Sequence, residues 1–204
     1  MRNNDELVRH LIKNGILQSP RLVAAFRTID RQDFVALAMK DQAYEDCALG
    51  LGYGATISQP TTVAFMLEKL DPAPGDKVLD IGAGSGWTTA LLAQLVGEAG
   101  TVYGVELVPR LVAFGRANLS KYNLPNASIV QATPTLGLPT NAPFDRILVS
   151  ASTKHVPSEL VAQLSIPGTL IIPVGEALWQ IKKRSETKST VDKYPGFVFV
   201  PLQN

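Results

Sequence analysis

The stretch Lys77-Val78-Leu79-Asp80-Ile81-Gly82-Ala83-Gly84-Ser85-Gly86-Trp87 constrains the fold more than any other part of the chain. An apolar run of strand type, Val78 to Ile81, gives way to three glycines at alternate positions, and a helical pattern follows with Leu91, Leu92 and Leu95 on one face. Glycine is needed where a strand turns sharply into a helix and where a ligand lies against bare backbone. The first N–H groups of the helix are left free to face that ligand.

Two kinds of cofactor are bound at such turns. Dinucleotide sites use G-x-G-x-x-G, with the pyrophosphate on the helix N-terminus. Here the spacing is G-x-G-x-G and Asp80 stands before the first glycine. That acid suits a cationic ligand group better than a pyrophosphate, because two anions repel at short range. The stretch resembles the first motif of S-adenosylmethionine-dependent methyltransferases. The resemblance implies S-adenosyl-L-methionine as cofactor, its methionine end over the turn, and Asp80, Gly82, Ala83, Gly84, Ser85 and Gly86 as binding residues.

Composition narrows the setting. A length of 204 residues suits one domain of moderate size, and an apolar content of 46% is enough for a core. The formal net charge of +1 gives no reason to expect nucleic acid or an anionic membrane as partner. No apolar run approaches the ~20 residues needed to span a bilayer. The polar start, Met1 to Glu6, has no signal-peptide core behind it, and Cys47 is the only cysteine, which excludes an internal disulfide. Together these predict a cytoplasmic protein. Cys47 reads as a small apolar residue rather than a nucleophile, and no metal site is expected.

The chain divides into a helical extension with a loop (residues 1–60) and a core (61–204), within one domain. Asn3 and Glu6 predict a capping box for a helix with Leu7, Val8, Leu11 and Ile12 inward. Ser19-Pro20 predicts the cap and first residue of a second helix, with Leu22, Val23, Phe26 and Ile29 as its stripe. Asp33 to Lys40 reads as further helix with Phe34, Leu37 and Ala38 inward. Tyr44 to Gly54 holds three alternate glycines and reads as a loop that closes over a ligand or turns a corner. A helix with Val63, Met66, Leu67 and Leu70 inward precedes the cofactor strand.

After the turn, strand and helix alternate: strands at 101–105, 128–131, 144–149 and 169–172, helices at 109–122 and 158–164. Alternation of this kind means a parallel sheet covered on both faces. The tail, Leu178 to Lys182 and Phe197 to Val200 joined by polar residues, reads as an antiparallel pair. The basic run Lys182-Lys183-Arg184 reads as the solvated end of that hairpin. The expected fold is α/β: a doubly wound, mostly parallel, seven-stranded Rossmann-like methyltransferase sheet with an N-terminal helical extension and a C-terminal antiparallel hairpin.

Ligands bind beyond the carboxyl ends of such strands, where the strand order reverses. Glu106 ends the strand after the turn, where a carboxylate can accept from both hydroxyls of a ribose; Leu107 follows it on the site. A narrower resemblance rests on Tyr44-Glu45-Asp46, Thr56-Ile57-Ser58-Gln59-Pro60, Val78 to Gly86, Ala142-Pro143-Phe144-Asp145, Ile171-Ile172-Pro173-Val174-Gly175 and Phe199-Val200-Pro201-Leu202, in that order. The chain resembles the protein-L-isoaspartate O-methyltransferases over nearly its whole length. The resemblance implies a cytosolic, monomeric enzyme acting on isoaspartyl carboxylates in damaged proteins or peptides. It also implies that Ser58 is the active-site serine and that Ala55, Thr56 and Ile57 shape the substrate pocket beside it. The residue-level alternative for Ser58 is an N-cap of the following helix.

The chain departs from the family where Gly-Asp-Gly usually meets the adenine. Ala132-Thr133-Pro134 stands there, so Thr133 offers a neutral acceptor and Pro134 has no N–H. The run Ser150 to Pro157 is bulkier and more polar than usual. These departures leave two other readings open: methylation of another carboxylate or a small molecule, and a non-catalytic homologue that binds cofactor or partner.

Overall fold

The computed structural model describes residues 1–203. Seven strands form the main sheet: β3 (Lys77–Ile81), β4 (Thr101–Glu106), β5 (Ala127–Gln131), β6 (Phe144–Val149), β7 (Leu164–Val174), β8 (Ala177–Lys183) and β9 (Ser189–Pro195), in the spatial order β5-β4-β3-β6-β7-β8-β9. Strands β3 to β7 pair in parallel, and β8 and β9 add antiparallel neighbours. The chain leaves β3 toward β4 and β5, then returns to place β6 on the other side of β3. The order therefore reverses at the carboxyl ends of β3 and β6, the place where open sheets of this class bind ligands.

The central strands are buried on both faces, which is why they read as near-continuous apolar runs. In β3, Val78 faces one core layer while Leu79 and Ile81 face the other. By the same period of two, Asp80 shares the face of Val78, toward helix α4 (Trp87–Val96). That helix is apolar nearly all round because it is covered twice, by the sheet and by the N-terminal helix α2 (Pro20–Thr28), on which α1 (Asn4–Lys13) packs in turn. The Phe26 and Trp87 rings pack edge to face with their centres 5.7 Å apart. The N-terminal extension is thus the second wall of the helix that carries the glycine turn.

Local signals at the helix starts are half right. Asn3 caps α1 through its side chain, which accepts from Glu6 N at 2.9 Å, but the Glu6 carboxylate returns to Arg2 N instead of Asn3 N. Of the stripe expected on α1, Leu7, Val8 and Leu11 are buried and Ile12 is exposed. Pro20 opens α2, yet the Ser19 hydroxyl caps nothing; Glu68 of α3 (Pro60–Leu70) accepts from the N–H groups of Gln18 and Ser19 at 2.6 and 2.8 Å.

Four sequence expectations are corrected. The helix expected over 33–40 is two 3-10 turns, Arg31–Phe34 and Leu37–Gln42, with Val35 and Ala36 extended between them. That break loses the helical period, so Phe34 stays buried while Leu37 is 81% exposed. The glycine loop contains an antiparallel hairpin, β1 (Leu49–Gly52) and β2 (Ala55–Ile57), with Leu49 and Leu51 inward and Gly50 and Gly52 outward. Its alternation was written in Leu-Gly pairs. The partner of β8 is the polar strand β9, because a tight turn from Arg184 to Lys188 pairs Lys183 with Ser189. Phe197 to Val200 leaves the sheet and returns to the carboxyl end of β6, where Ser152 N donates to Val200 O and Leu202 N donates to Ser152 O, both at 2.8 Å. Lys183 is buried, its Nζ donating to Leu164 O at 3.1 Å, so only part of the basic run meets solvent.

The remaining helices, α5 (Pro109–Leu119) and α6 (Ser158–Ala162), lie where the alternation puts them. Among the described residues, no helix is long and apolar enough to cross a membrane.

Candidate active site

A cleft of about 1030 Å³, counting the solvent at its mouth, opens over the carboxyl ends of β3, β4 and β6. Its walls come from the hairpin (Tyr53 to Thr56), the glycine turn (Gly82, Gly84), the end of β4 (Glu106, Leu107), the loop after β5 (Ala132, Thr133, Thr135 to Gly137), the end of β6 (Ser150, Ala151) and the tail (Val200 to Gln203). A smaller recess joins it, lined by Thr56, Ile57, Ser58, Val63, Gly82 to Ser85, Trp87, Thr88 and Ser150. The recess brings Ser58 to the glycine turn, and Thr56, Gly82, Gly84 and Ser150 border both spaces.

The three glycines have positive φ, +78°, +53° and +87°, which side chains rarely adopt. They do different work. Gly82 and Gly84 form cleft wall. Gly86 lines neither space: a Cβ there would lie 3.2 Å from Gly115 O, so it permits the close approach of α4 and α5.

Glu106 is buried and holds the turn in shape. Its Oε2 accepts from Gly84 N at 2.8 Å and its Oε1 from Val108 N at 2.9 Å. Each oxygen keeps a further acceptor position for a ligand hydroxyl. Asp80 is wholly buried and lies off the cleft wall. Its Oδ2 accepts from the Thr88 and Thr89 hydroxyls, each at 2.7 Å, while its Oδ1 has no partner. Burial pushes this carboxyl up to about 6; the two hydroxyls pull it down, and the charge of Glu106 adds to the rise. A buried carboxylate with one oxygen unpaired favours a cation nearby.

Ser58 is half-buried and is not a cap. Helix α3 starts at Pro60 with Gln59 in the cap position, and the free N–H of Thr61 is taken by Asp46 Oδ1 at 2.8 Å. The Thr61 hydroxyl also donates to Asp46 Oδ2, at 2.6 Å. The capping alternative for Ser58 is therefore excluded by Asp46. Thr133 is exposed on the cleft wall, its hydroxyl donating to Thr135 O at 3.3 Å, and Pro134 lies outside both spaces. Among the described residues, no group of three or more His, Cys, Asp or Glu could hold a metal ion.

The family model for protein-L-isoaspartate(D-aspartate) O-methyltransferase matches residues 2–204. The chain belongs to this family. It is 40% identical to a protein-L-isoaspartate O-methyltransferase of Methanopyrus kandleri over 98% of this chain and 91% of that one. To the one of Fervidobacterium nodosum it is 38% identical over 97% of this chain and 100% of that one. A crystal structure from Plasmodium falciparum, assigned to the same enzyme and in complex with S-adenosyl-L-homocysteine, superposes with a TM-score of 0.88 at 26% identity, covering 100% of this chain and 99% of that one.

Set in an isoaspartate methyltransferase, the cleft holds residues that sequence reasoning gave no role. The tail from Val200 to Gln203 lines it. The tail motif was visible, but its return to β6 was not. Arg31 carried no signal at all: arginine is almost never wholly buried, and here it is.

Proposed function

We propose that this chain transfers a methyl group from S-adenosyl-L-methionine to the free carboxylate of L-isoaspartyl residues in damaged proteins or peptides, the first step of their repair. The observation that carries the reading is the recess in which Ser58 meets Gly82 to Ser85, opening into the larger cleft. The residues present suit this cofactor. Asp80 supplies unpaired negative charge beneath the turn, Gly82 and Gly84 expose backbone, and Glu106 has free acceptor positions for two ribose hydroxyls.

When bound, the cofactor supplies an electrophilic methyl group on a sulfonium. The acceptor carboxylate is ionised near neutral pH and needs no base. The protein's task is to hold it aligned and dry. The Ser58 hydroxyl and nearby main-chain N–H groups orient it, with Ala55, Thr56 and Ile57 shaping the pocket. A lysine clamp would grip the ground state too firmly. Leu107 and Thr133, both on the cleft wall, would hold the ribose and adenine ends of the cofactor respectively. In the product, the flanking peptide nitrogen closes on the ester with loss of methanol, and hydrolysis of the succinimide returns aspartate in part. The enzyme works as a cytoplasmic, single-domain monomer without a nucleic-acid or membrane partner.

Transfer of a labelled methyl group to an isoaspartyl peptide, beside its aspartyl isomer, tests the reading. Turnover of the isoaspartyl peptide alone is expected. Cofactor binding without turnover would reject isoaspartate as the acceptor, and no cofactor binding would reject catalysis.

A further inference from the structure

Arg31 lies in the 3-10 turn after α2 and is fully buried at 0% exposure. Its guanidinium donates only to main-chain carbonyls: Nη1 to Ala43 O at 2.5 Å and Glu45 O at 3.4 Å, Nη2 to Cys47 O at 2.9 Å and Ser58 O at 3.1 Å. None of the ion pairs among the described residues includes it. Its Nε–H has no partner, and its guanidinium carbon stands 5.3 Å from the centre of the Trp87 ring. Burial lowers its pKa to about 10, which leaves it charged at neutral pH.

The four carbonyls are not scattered. Three precede the hairpin β1–β2 and the fourth, of Ser58, follows it. One cation therefore draws both legs of the 43–58 segment together at their base. Trp87, on which the guanidinium rests, is the first residue of α4 and follows Gly86 directly. The same group thus ties the acceptor side of the recess to the cofactor side. A buried cation that makes no ion pair, with only the charge of Asp46 in its surroundings, is a costly way to add stability alone. What the guanidinium adds is a rigid planar fork that reaches several acceptors at fixed angles.

We infer that Arg31 is the positioning residue of the acceptor loop, holding residues 43–58, and Ser58 with them, against the glycine turn. The inference rests on the acceptor role proposed above for Ser58. It assigns Arg31 no contact with substrate or cofactor.

Arg31→Lys tests it. Lysine keeps the charge and the stem, but its one nitrogen cannot span both legs of the loop. Amide hydrogen exchange in residues 49–58 should rise at least about tenfold, with β3 and β6 unchanged, as expected of a local opening. The kcat on an isoaspartyl peptide should fall at least about tenfold while the Kd for S-adenosyl-L-homocysteine changes less than about threefold. Unchanged loop exchange, or exchange that rises equally in β3 and β6, would overturn the inference. If the wild-type protein does not methylate the peptide, the functional reading fails while exchange still decides the brace. Should Arg31→Lys not fold, Arg31→Gln takes its place; failure of both would make Arg31 a support of the whole fold and end the claim of local positioning.

Discussion

The two ends of the cleft are built on different plans. At the glycine turn, the fold itself occupies nearly every polar group. Gly82 and Ala83 donate to Val105 O, Gly84 to Glu106, Gly86 to Ala83 O, and Asn118 donates to Ser85 O from a buried position. At the far end, Thr133, Pro134 and Thr135 are exposed, and Thr133 makes one local bond at 3.3 Å. The first end is set before any ligand arrives; the second is held by little and can adapt.

The sharpest test of this contrast is Glu106→Ala. It leaves the buried Gly84 N–H without an acceptor, a loss of about 1–3 kcal/mol in stability. Cofactor affinity should fall at least about a hundredfold, since both ribose contacts go with it. Thermal melts and calorimetric titration measure the two effects. Wild-type values in both would mean that the turn is set by its own main chain.

Next comes Ser58→Ala, with turnover of isoaspartyl peptide at least about tenfold lower. Because Asp46 caps α3, its stability should stay within about 0.5 kcal/mol of wild type. Asp46→Ala should show the converse for the cap, a loss of about 1 kcal/mol. Melts of both variants beside turnover separate the roles; full activity in Ser58→Ala removes Ser58 from the acceptor site.

Asp80 gives a pH dependence of comparable size. Its folded value of about 6 lies above the ordinary 3.8. The protonated form is therefore favoured in the fold: stability from this group is complete below pH 3.8 and is lost as pH rises through about 6. A cationic ligand needs the ionised form, so S-adenosyl-L-methionine affinity should rise about tenfold from pH 5 to 7. Titrations across that range should show the rise in the wild type and a flat profile in Asp80→Asn. A flat wild-type profile would dissociate Asp80 from the cation.

The smallest effect is expected at the exposed end. Thr133→Asp should tighten cofactor binding about threefold by adding a charged acceptor, with unchanged melting. A change larger than that of Glu106→Ala would invert the contrast between the two ends.

Much of this was open to reading from the chain alone. Strand β3, its glycines and α4 announce themselves because their signals are local: alternate glycines where φ is positive, apolar runs where both faces are covered. A family motif likewise named Ser58 as a candidate, and Glu106 was named by its place at the end of a predicted strand. Where the reading failed, local pattern and packing disagreed. Leu37 continues a helical stripe that extended residues at 35 and 36 interrupt, and β9 is polar because it is an exposed edge strand. Hydropathy favoured Phe197 to Val200 for the sheet, but those residues return to the carboxyl end of β6 and lead into the cleft wall.

The sequence by itself determined the class of sheet, the place of the turn and the chemistry of the residues around it, since each depends on neighbours a few positions away. Long-range packing alone set Asp46 rather than Ser58 on the start of α3, buried Asp80 beneath the turn with one oxygen unpaired, and joined the carbonyls of Ala43, Cys47 and Ser58 on Arg31. Arg31 and Ser58 are 27 positions apart, and Asp46 and Thr61 are 15 apart. No helical or strand period links residues at such distances. Their contacts exist because burial left carbonyls and N–H groups that water could no longer reach, and side chains from elsewhere in the chain had to satisfy them.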